Sequence, residues 1–305
     1  MTPTVKPEIL GIKMNFAANR APLPRYTLST EHQQFLSNLL DQARSPVPSD
    51  WLEWWLEGIQ QPLGILSPQR AELLAQWWPT RAPLVRDGHR WMWKAGSLSP
   101  RERSQVLQSV AEQLHSHGHV WGWRDELYEG WGKEQASWPD PPPALFRLER
   151  AAYRFFGLRS HAAHVHGVTH DGRMWCGRRS TTKATDPGML DNMAAGGLPE
   201  GEVPVRCATR EIHEEAGLVR AASQLVSCGA ITTERAVPEG WHSETIFVYV
   251  TTVADTETPR NLDGEVSDYV CLEIDEVLSR MRDGEFTHDA ACAIAVYLLN
   301  RESRS

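Results

Sequence analysis

Gly196-Gly-Leu-Pro-Glu-Gly-Glu202-Val-Pro-Val-Arg-Cys-Ala-Thr-Arg210-Glu211-Ile-His-Glu214-Glu215-Ala-Gly217-Leu218 runs a glycine-rich loop straight into a short helix carrying three carboxylates. Glu211, Glu214 and Glu215 stand at i, i+3 and i+4, so a helix gathers them into one patch facing solvent. Like charges there repel unless a hard divalent cation lies between them, and magnesium prefers carboxylate, water and phosphate oxygens. A solvated acidic helix face would show the same spacing. Against that reading, Val205, Ala208, Ile212 and Ala216 form an apolar face that buries and immobilises the helix. Pro204 suits its first turn and Gly217 its C-terminal cap. Arg210 can turn back to Glu202 and fix the loop against the helix. Gly196, Gly197 and Gly201 let the loop backbone turn tightly and approach a ligand.

This spacing resembles the signature of the Nudix hydrolases: Gly, five residues, Glu, seven residues, Arg-Glu, an aliphatic, any residue, Glu-Glu, any residue, Gly, an aliphatic. Every defined position from Gly196 to Leu218 matches. The resemblance implies an α/β/α sandwich with a mixed sheet and a Mg²⁺-dependent diphosphate hydrolase, with Mn²⁺ as the alternative ion.

The whole chain is compatible with that class. Its 305 residues allow two domains, and 41% hydrophobic with 23% charged residues is ordinary for a globular protein. A net charge of -8 argues against nucleic acid or an anionic membrane as partner. No apolar run approaches the ~20 residues of a transmembrane helix, and the N-terminus lacks a secretory core and cleavage site. Residues 1–24 read as a loosely ordered tail. Five widely spaced cysteines, without a Cys-x-x-Cys pair, suit a reducing cytoplasm and small hydrophobic roles.

Composition divides the chain. Eleven of thirteen tryptophans precede residue 140 and all five cysteines follow it. Trp138-Pro-Asp-Pro-Pro-Pro143 can continue neither a helix nor a central strand, which sets a boundary near 144. We expect a Trp-rich α+β domain over 25–143 and the sandwich over 144–305. In the first, residues 30–43 read as a helix capped by Thr30. Residues 50–57 and 67–78 read as short helices, 82–95 as a hairpin about Asp87-Gly88, and 99–117 as an amphipathic helix. Most tryptophans should be core; Trp121 and Trp123, near Gly122 and Arg124-Asp-Glu-Leu-Tyr128, are the best exceptions. In the second, a short helix at 148–156 precedes strands at 161–169, 174–179, 225–233, 243–252 and 268–274. Helices at 275–283 and 288–301 end the pattern. His161, His164, His166 and His170 alternate along the first strand and suit a polar face lining a cleft.

Arg178-Arg-Ser-Thr-Thr-Lys183-Ala-Thr-Asp-Pro187-Gly-Met-Leu-Asp191 leads into the glycine loop. Arg178, Arg179 and Lys183 are therefore diphosphate partners by position, and Asp191, Gly196 and Gly197 join them as substrate-side residues. This run resembles the thiamine-diphosphate-related Nudix subgroup, linked in fungi to thiamine pyrophosphokinase. The likeness extends over Glu149-Arg150-Ala-Ala, Pro259-Arg-Asn-Leu-Asp263-Gly-Glu265-Val and Arg282-Asp-Gly-Glu285-Phe286. The module ending in Gly122-Trp-Arg-Asp-Glu-Leu-Tyr128 resembles that subgroup's N-terminal domain of unassigned function. The subgroup implies removal of one phosphate from thiamine diphosphate or its oxidised, damaged analogues, a metabolite clean-up role. Thr233–Glu244 and Thr287-His288-Asp289 depart from its pattern.

By this reading Glu211, Glu214 and Glu215 hold the ion, and Glu265 is a fourth ligand or the base. Glu202 and Arg210 are structural partners, and His213 is a surface residue. The partners expected are a small diphosphate and at most a second copy of the chain. The rivals are a Nudix pyrophosphatase for another nucleoside-diphosphate-type substrate, an isoprenoid diphosphate isomerase and a non-catalytic Nudix sensor. An isomerase would carry a cysteine just before the box, which Ala184–Gly196 lacks. A sensor tends to lose the metal carboxylates, all of which are present.

Overall fold

The computed structural model describes residues 23–24, 26–132, 141–183 and 185–302. Residues 1–22 of the expected tail, and 138–140 at the proline boundary, lie outside them.

The order is α1 (Thr30–Asp41), β1 (Leu52–Leu56), β2 (Pro62–Leu66), α2 (Pro68–Trp77), β3 (Leu84–Asp87), β4 (Arg90–Trp93), α3 (Pro100–Ser116), β5 (Leu127–Gly130), β6 (Phe146–Glu149), α4 (Tyr153–Phe156), β7 (Arg159–Val168), β8 (Met174–Arg179), β9 (Leu190–Asp191), β10 (Ala194–Gly197), α5 (Pro204–Ala216), β11 (Val226–Val237), β12 (Gly240–Thr252), β13 (Val266–Leu272), α6 (Ile274–Arg282) and α7 (His288–Glu302). The main sheet runs β11-β12-β7-β8-β13, with β10 paired to β7 and β9 to β8. It is mixed, since β12 lies parallel to β7 while the other pairs are antiparallel.

Period-2 alternation builds the two faces of this sheet. On β12, Ile246, Val248 and Val250 join the core beneath α6 and α7, whereas Phe247 and Tyr249 join the core beneath α5. The α/β/α layering implied by the sequence is present. The histidines of β7 split by the same parity. His161 is buried beside Trp131 and Phe247 on the α5 face, and His166 is buried against Tyr297 of α7. Burial pushes both imidazoles down to about 3, so they are neutral. The expected polar histidine face along the cleft is therefore corrected: His164 faces the cleft, and His161 and His166 are core.

In the N-terminal half a four-stranded sheet, β2-β1-β4-β3, packs with α2 and α3. Trp54, Trp78 and Trp93 form its centre against Phe156, and the Trp54 indole donates to the Phe156 carbonyl at 2.8 Å. Gly157 closes α4 in the left-handed region (φ 61°), where a Cβ would overlap the Ile65 backbone. Ser67 caps α2, and Ser99 with Glu102 forms a capping box on α3.

Local expectations change at two places in the N-terminal half. Residues 52–56 form β1, not a helix, because Trp54 and Leu56 alternate inward and pair with both β2 and β4. Ser29, rather than Thr30, caps α1 by accepting from the His32 N–H. The helix itself packs on α7, with Leu36 and Leu40 in the core of the main sheet rather than among the tryptophans. Likewise Phe146, Leu148 and Tyr153–Phe156, beyond residue 144, belong to the tryptophan core. Among the described residues no helix is long and apolar enough to cross a membrane.

Candidate active site

α5 is fixed before its carboxylates are considered. Pro204 opens it, and Gly217 (φ 64°) ends it, donating its N–H to the His213 and Ile212 carbonyls. Cys207, Ala208, Ile212 and Ala216 are fully buried against the sheet, with Val205 packed at the edge. Glu211 and Glu215 lie at the border of this buried face, 8% and 5% exposed. The expected patch of solvent is thus corrected: only Glu214 is substantially open, its side chain 44% exposed.

That burial has an electrostatic consequence. Desolvation pushes the Glu211 carboxyl up to about 7, and the Glu215 carboxyl well above the ordinary range. Glu215 accepts the Ala195 N–H at 2.8 Å. Arg210 partly offsets the cluster, donating to Glu211 at 2.5 Å and Glu214 at 3.0 Å. Its other nitrogens hold Glu202 at 3.1 and 2.8 Å and the Gly197 carbonyl at 3.3 Å. Arg210 therefore ties the glycine loop to the helix, as its position beside Glu211 suggested, and also sits within the acidic cluster.

A loop docks on the end of α5 and delivers a further carboxylate. Arg260 N–H donates to the Ala216 carbonyl (2.8 Å) and Leu262 N–H to that of Glu214 (3.2 Å). Oxygens of Glu215, Asp263 and Glu265 then lie within 4.8 Å of one another. Burial raises the Glu265 carboxyl, but the hydrogen bond and charge of Lys183 outweigh it and the net shift is downward. The donors of this group and of α5 are all carboxylate oxygens; Glu211 and Glu215 are buried, and Arg210 bonds only the first of these two. This set fits a hard divalent ion such as Mg²⁺ or Mn²⁺.

Glu211, Glu214, Asp263 and Glu265 line a cleft of about 480 Å³, within the usual size of small-molecule sites, whereas the buried Glu215 is not part of its lining. Gly196, Gly197, Arg179, Lys183 and Asp191 line it with them. Arg179 is held to Asp191 at 2.8 Å and to the Thr185 carbonyl. Arg178 lies outside the lining and donates to the Gly188 carbonyl at 2.9 Å, so its expected place beside the diphosphate is corrected. Glu202 stays behind Arg210, and His213 is exposed.

The cleft also takes residues from stretches that the sequence marked as distinctive without assigning them individual roles. Glu244 of β12, held by Ser160 at 2.8 Å, and Thr287 with Asp289 at the start of α7 form one end. Burial raises Asp289, but His242 and Arg235 outweigh it and hold the carboxyl well below its ordinary range. These groups come from the two stretches that depart from the subgroup pattern. Arg124, Glu126, Tyr128, Arg150 and Arg154 complete another wall from the N-terminal side. The signal for them was the polar setting of Trp123 and the Arg124–Tyr128 run.

Comparison with known proteins matches residues 159–291 to the NUDIX domain and residues 59–160 to a domain of unknown function (DUF4743). The chain is 32% identical to Nudix hydrolase 24, chloroplastic, of Arabidopsis thaliana, over 66% of this chain and 55% of that protein. It is 32% identical to Nudix hydrolase 20, chloroplastic, of the same plant, over 65% of this chain and 52% of that protein. It therefore spans about half the length of these two relatives. An uncharacterized Nudix hydrolase of Yersinia pestis is 31% identical over 50% of this chain and 79% of its own length.

Proposed function

The chain belongs to the Nudix hydrolase family, and from that premise we propose that it is a Mg²⁺-dependent diphosphate hydrolase, with Mn²⁺ as the alternative ion. Its substrate on this reading is thiamine diphosphate or an oxidised or damaged analogue, cut to the monophosphate and phosphate. The observation that carries the hydrolase reading is the carboxylate set Glu211, Glu214 and Glu215, two of them buried, with Glu265 brought alongside. When bound, the ion supplies positive charge to phosphate oxygens and raises the acidity of water. The three helix carboxylates hold it, and Arg210 keeps Glu211 and Glu214 in place. Glu265, kept anionic by Lys183, is the group able to take a proton from an attacking water. Gly196 and Gly197 let the substrate approach β10 without a side chain in the way.

The acidic end of the cleft supports the thiamine reading. Ser160 faces Glu244 across the sheet and Ala163 faces Gly196. Three strand residues separate these positions, roughly 10 Å. A cationic thiazolium, as in thiamine and oxythiamine diphosphates, meets opposite charge at Glu244, while the Asp289 charge is already matched by Arg235. A neutral purine gains most from stacking, yet Tyr128 is the one benzenoid ring among the described lining residues and Arg150 lies over it, 5.9 Å from its centroid. The five free thiols suit a reducing compartment such as the cytoplasm.

Product analysis with Mg²⁺ on thiamine, oxothiamine and oxythiamine diphosphates beside ADP-ribose and nucleotides tests the reading. The thiamine compounds should give the highest kcat/KM. Preference for ADP-ribose or a nucleotide would replace them with the wider class of nucleoside diphosphate derivatives. Tight binding with no turnover of any would make the protein a sensor.

A further inference from the structure

Six cationic side chains line the cleft: Arg124, Arg150, Arg154, Arg179, Lys183 and Arg210. Five are engaged by carboxylates. Arg210 holds Glu202, Glu211 and Glu214; Arg179 holds Asp191; Lys183 holds Glu265; Arg150 holds Glu126; Arg154 approaches Glu239. Arg124 differs, because among the described residues no carboxylate pairs with its guanidinium.

Its backbone is nevertheless firmly placed. The buried Glu149 carboxylate accepts N–H bonds from Arg124 (3.1 Å), Glu126 (3.1 Å) and Ala151 (3.2 Å). Between them Asp125 is left-handed (φ 57°) and accepts from the Trp123 indole at 2.8 Å. Trp123 in turn stacks on His115 of α3, with ring centroids 4.8 Å apart. A few residues on, the Tyr128 hydroxyl closes directly over Gly197, where any Cβ would overlap it. The charges of Arg124 and Arg150 both reach Glu265. A hydrogen-bonded loop, left-handed at Asp125, thus lines the carboxylate cleft and carries a cation with no carboxylate partner among the described residues.

We propose that residues 123–128 with Arg150 form an anion-binding wall of the cleft, in which the Arg124 guanidinium takes oxygens of the substrate's diphosphate. This gives the region matched to a domain of unknown function a direct part in the site. The ligand class rests on the hydrolase reading, since the helix carboxylates and their ion account for only one side of a diphosphate. Arg124 offers the planar fork suited to phosphate oxygens, and Glu149 acts through it as a positioning residue.

The test uses the full chain and imidodiphosphate, which resists hydrolysis, titrated calorimetrically with Mg²⁺ into wild type, Arg124→Ala and Arg124→Lys. Turnover of the best substrate of the panel is measured beside it. Arg124→Ala should weaken imidodiphosphate binding and raise KM about ten-fold to a hundred-fold. Melting temperature should not change, because the side chain is exposed, and Arg124→Lys should recover part of the loss. Equal affinity for wild type and a folded Arg124→Ala, or no imidodiphosphate binding by wild type at all, overturns the wall. Turnover with unchanged Arg124→Ala kinetics and affinity removes the wall and leaves the hydrolase reading standing. Arg124-sensitive binding without turnover does the reverse.

Discussion

Glu215→Gln, and separately Glu214→Gln, should lower kcat by about 10²–10³ while leaving the purified protein folded. An ion held by carboxylates contributes several kcal/mol of charge stabilisation in phosphoryl transfer. Losing ~3–4 kcal/mol of it costs two to three orders of magnitude in rate. The fold should survive because Gln keeps the shape of Glu and retains an acceptor for the Ala195 N–H at position 215. It also removes a charge that burial disfavours, since desolvation raises the Glu215 carboxyl in the folded chain. Stability of the metal-free variant should therefore equal or exceed that of wild type. Steady-state rates at saturating Mg²⁺, with circular dichroism on the same samples, check both halves. Near-normal turnover in the folded variants would remove these residues from the metal site.

Gly196→Ala should be nearly as damaging, by another route. A methyl at this position would overlap the Glu211 carboxylate. The backbone of β10 is pinned to β7 by the Gly196 and Ala163 pairing, so the strand cannot retreat cheaply. Glu211 is the mobile partner and must swing away from the cleft, breaking its 2.5 Å bond to Arg210. The expected result is a loss of about 100-fold in kcat/KM with little change in melting temperature. A structure of the variant should show Glu211 displaced. A folded Gly196→Ala with wild-type kinetics would mean that the Glu211 position does not matter to turnover.

Both effects concern residues that the sequence made visible, and the reason is local. The α5 pattern needs only 3.6-residue periodicity, a proline at its start and a glycine at its end, and each of these is encoded within fourteen consecutive residues. Glu265 could be singled out because Asp263-Gly-Glu265 precedes a strand, although its approach to Glu215 depends on the loop docking on α5. The Glu211 and Glu215 burial was less legible. Periodicity placed them together but could not place them at the border between core and cleft.

The rest depends on contacts between distant parts of the chain. Tyr128 meets Gly197 and Arg124 acts near Glu265, pairings that no window of sequence contains. The α1 helix displays an apolar stripe that would suit either core; only its packing on α7 says which one it covers. Trp51, Trp54 and Trp55 carry a helical spacing, but Trp54 and Leu56 also carry an alternating one, and pairing with two strands selects the second. Arg178 and Arg179 are adjacent on β8 and so point to opposite faces, which sends one into the cleft and the other out of it.

Calorimetric titration of Mg²⁺ into EDTA-stripped protein, comparing wild type with Glu211→Gln and Glu215→Gln, addresses the metal site itself without assuming any substrate. Wild type should bind the ion with a saturable isotherm, and each variant should lose at least about ten-fold in affinity while remaining folded. Mg²⁺ and Mn²⁺ affinities that are identical in wild type and both variants would contradict the assignment of the α5 carboxylates as the ligands on which hydrolysis depends.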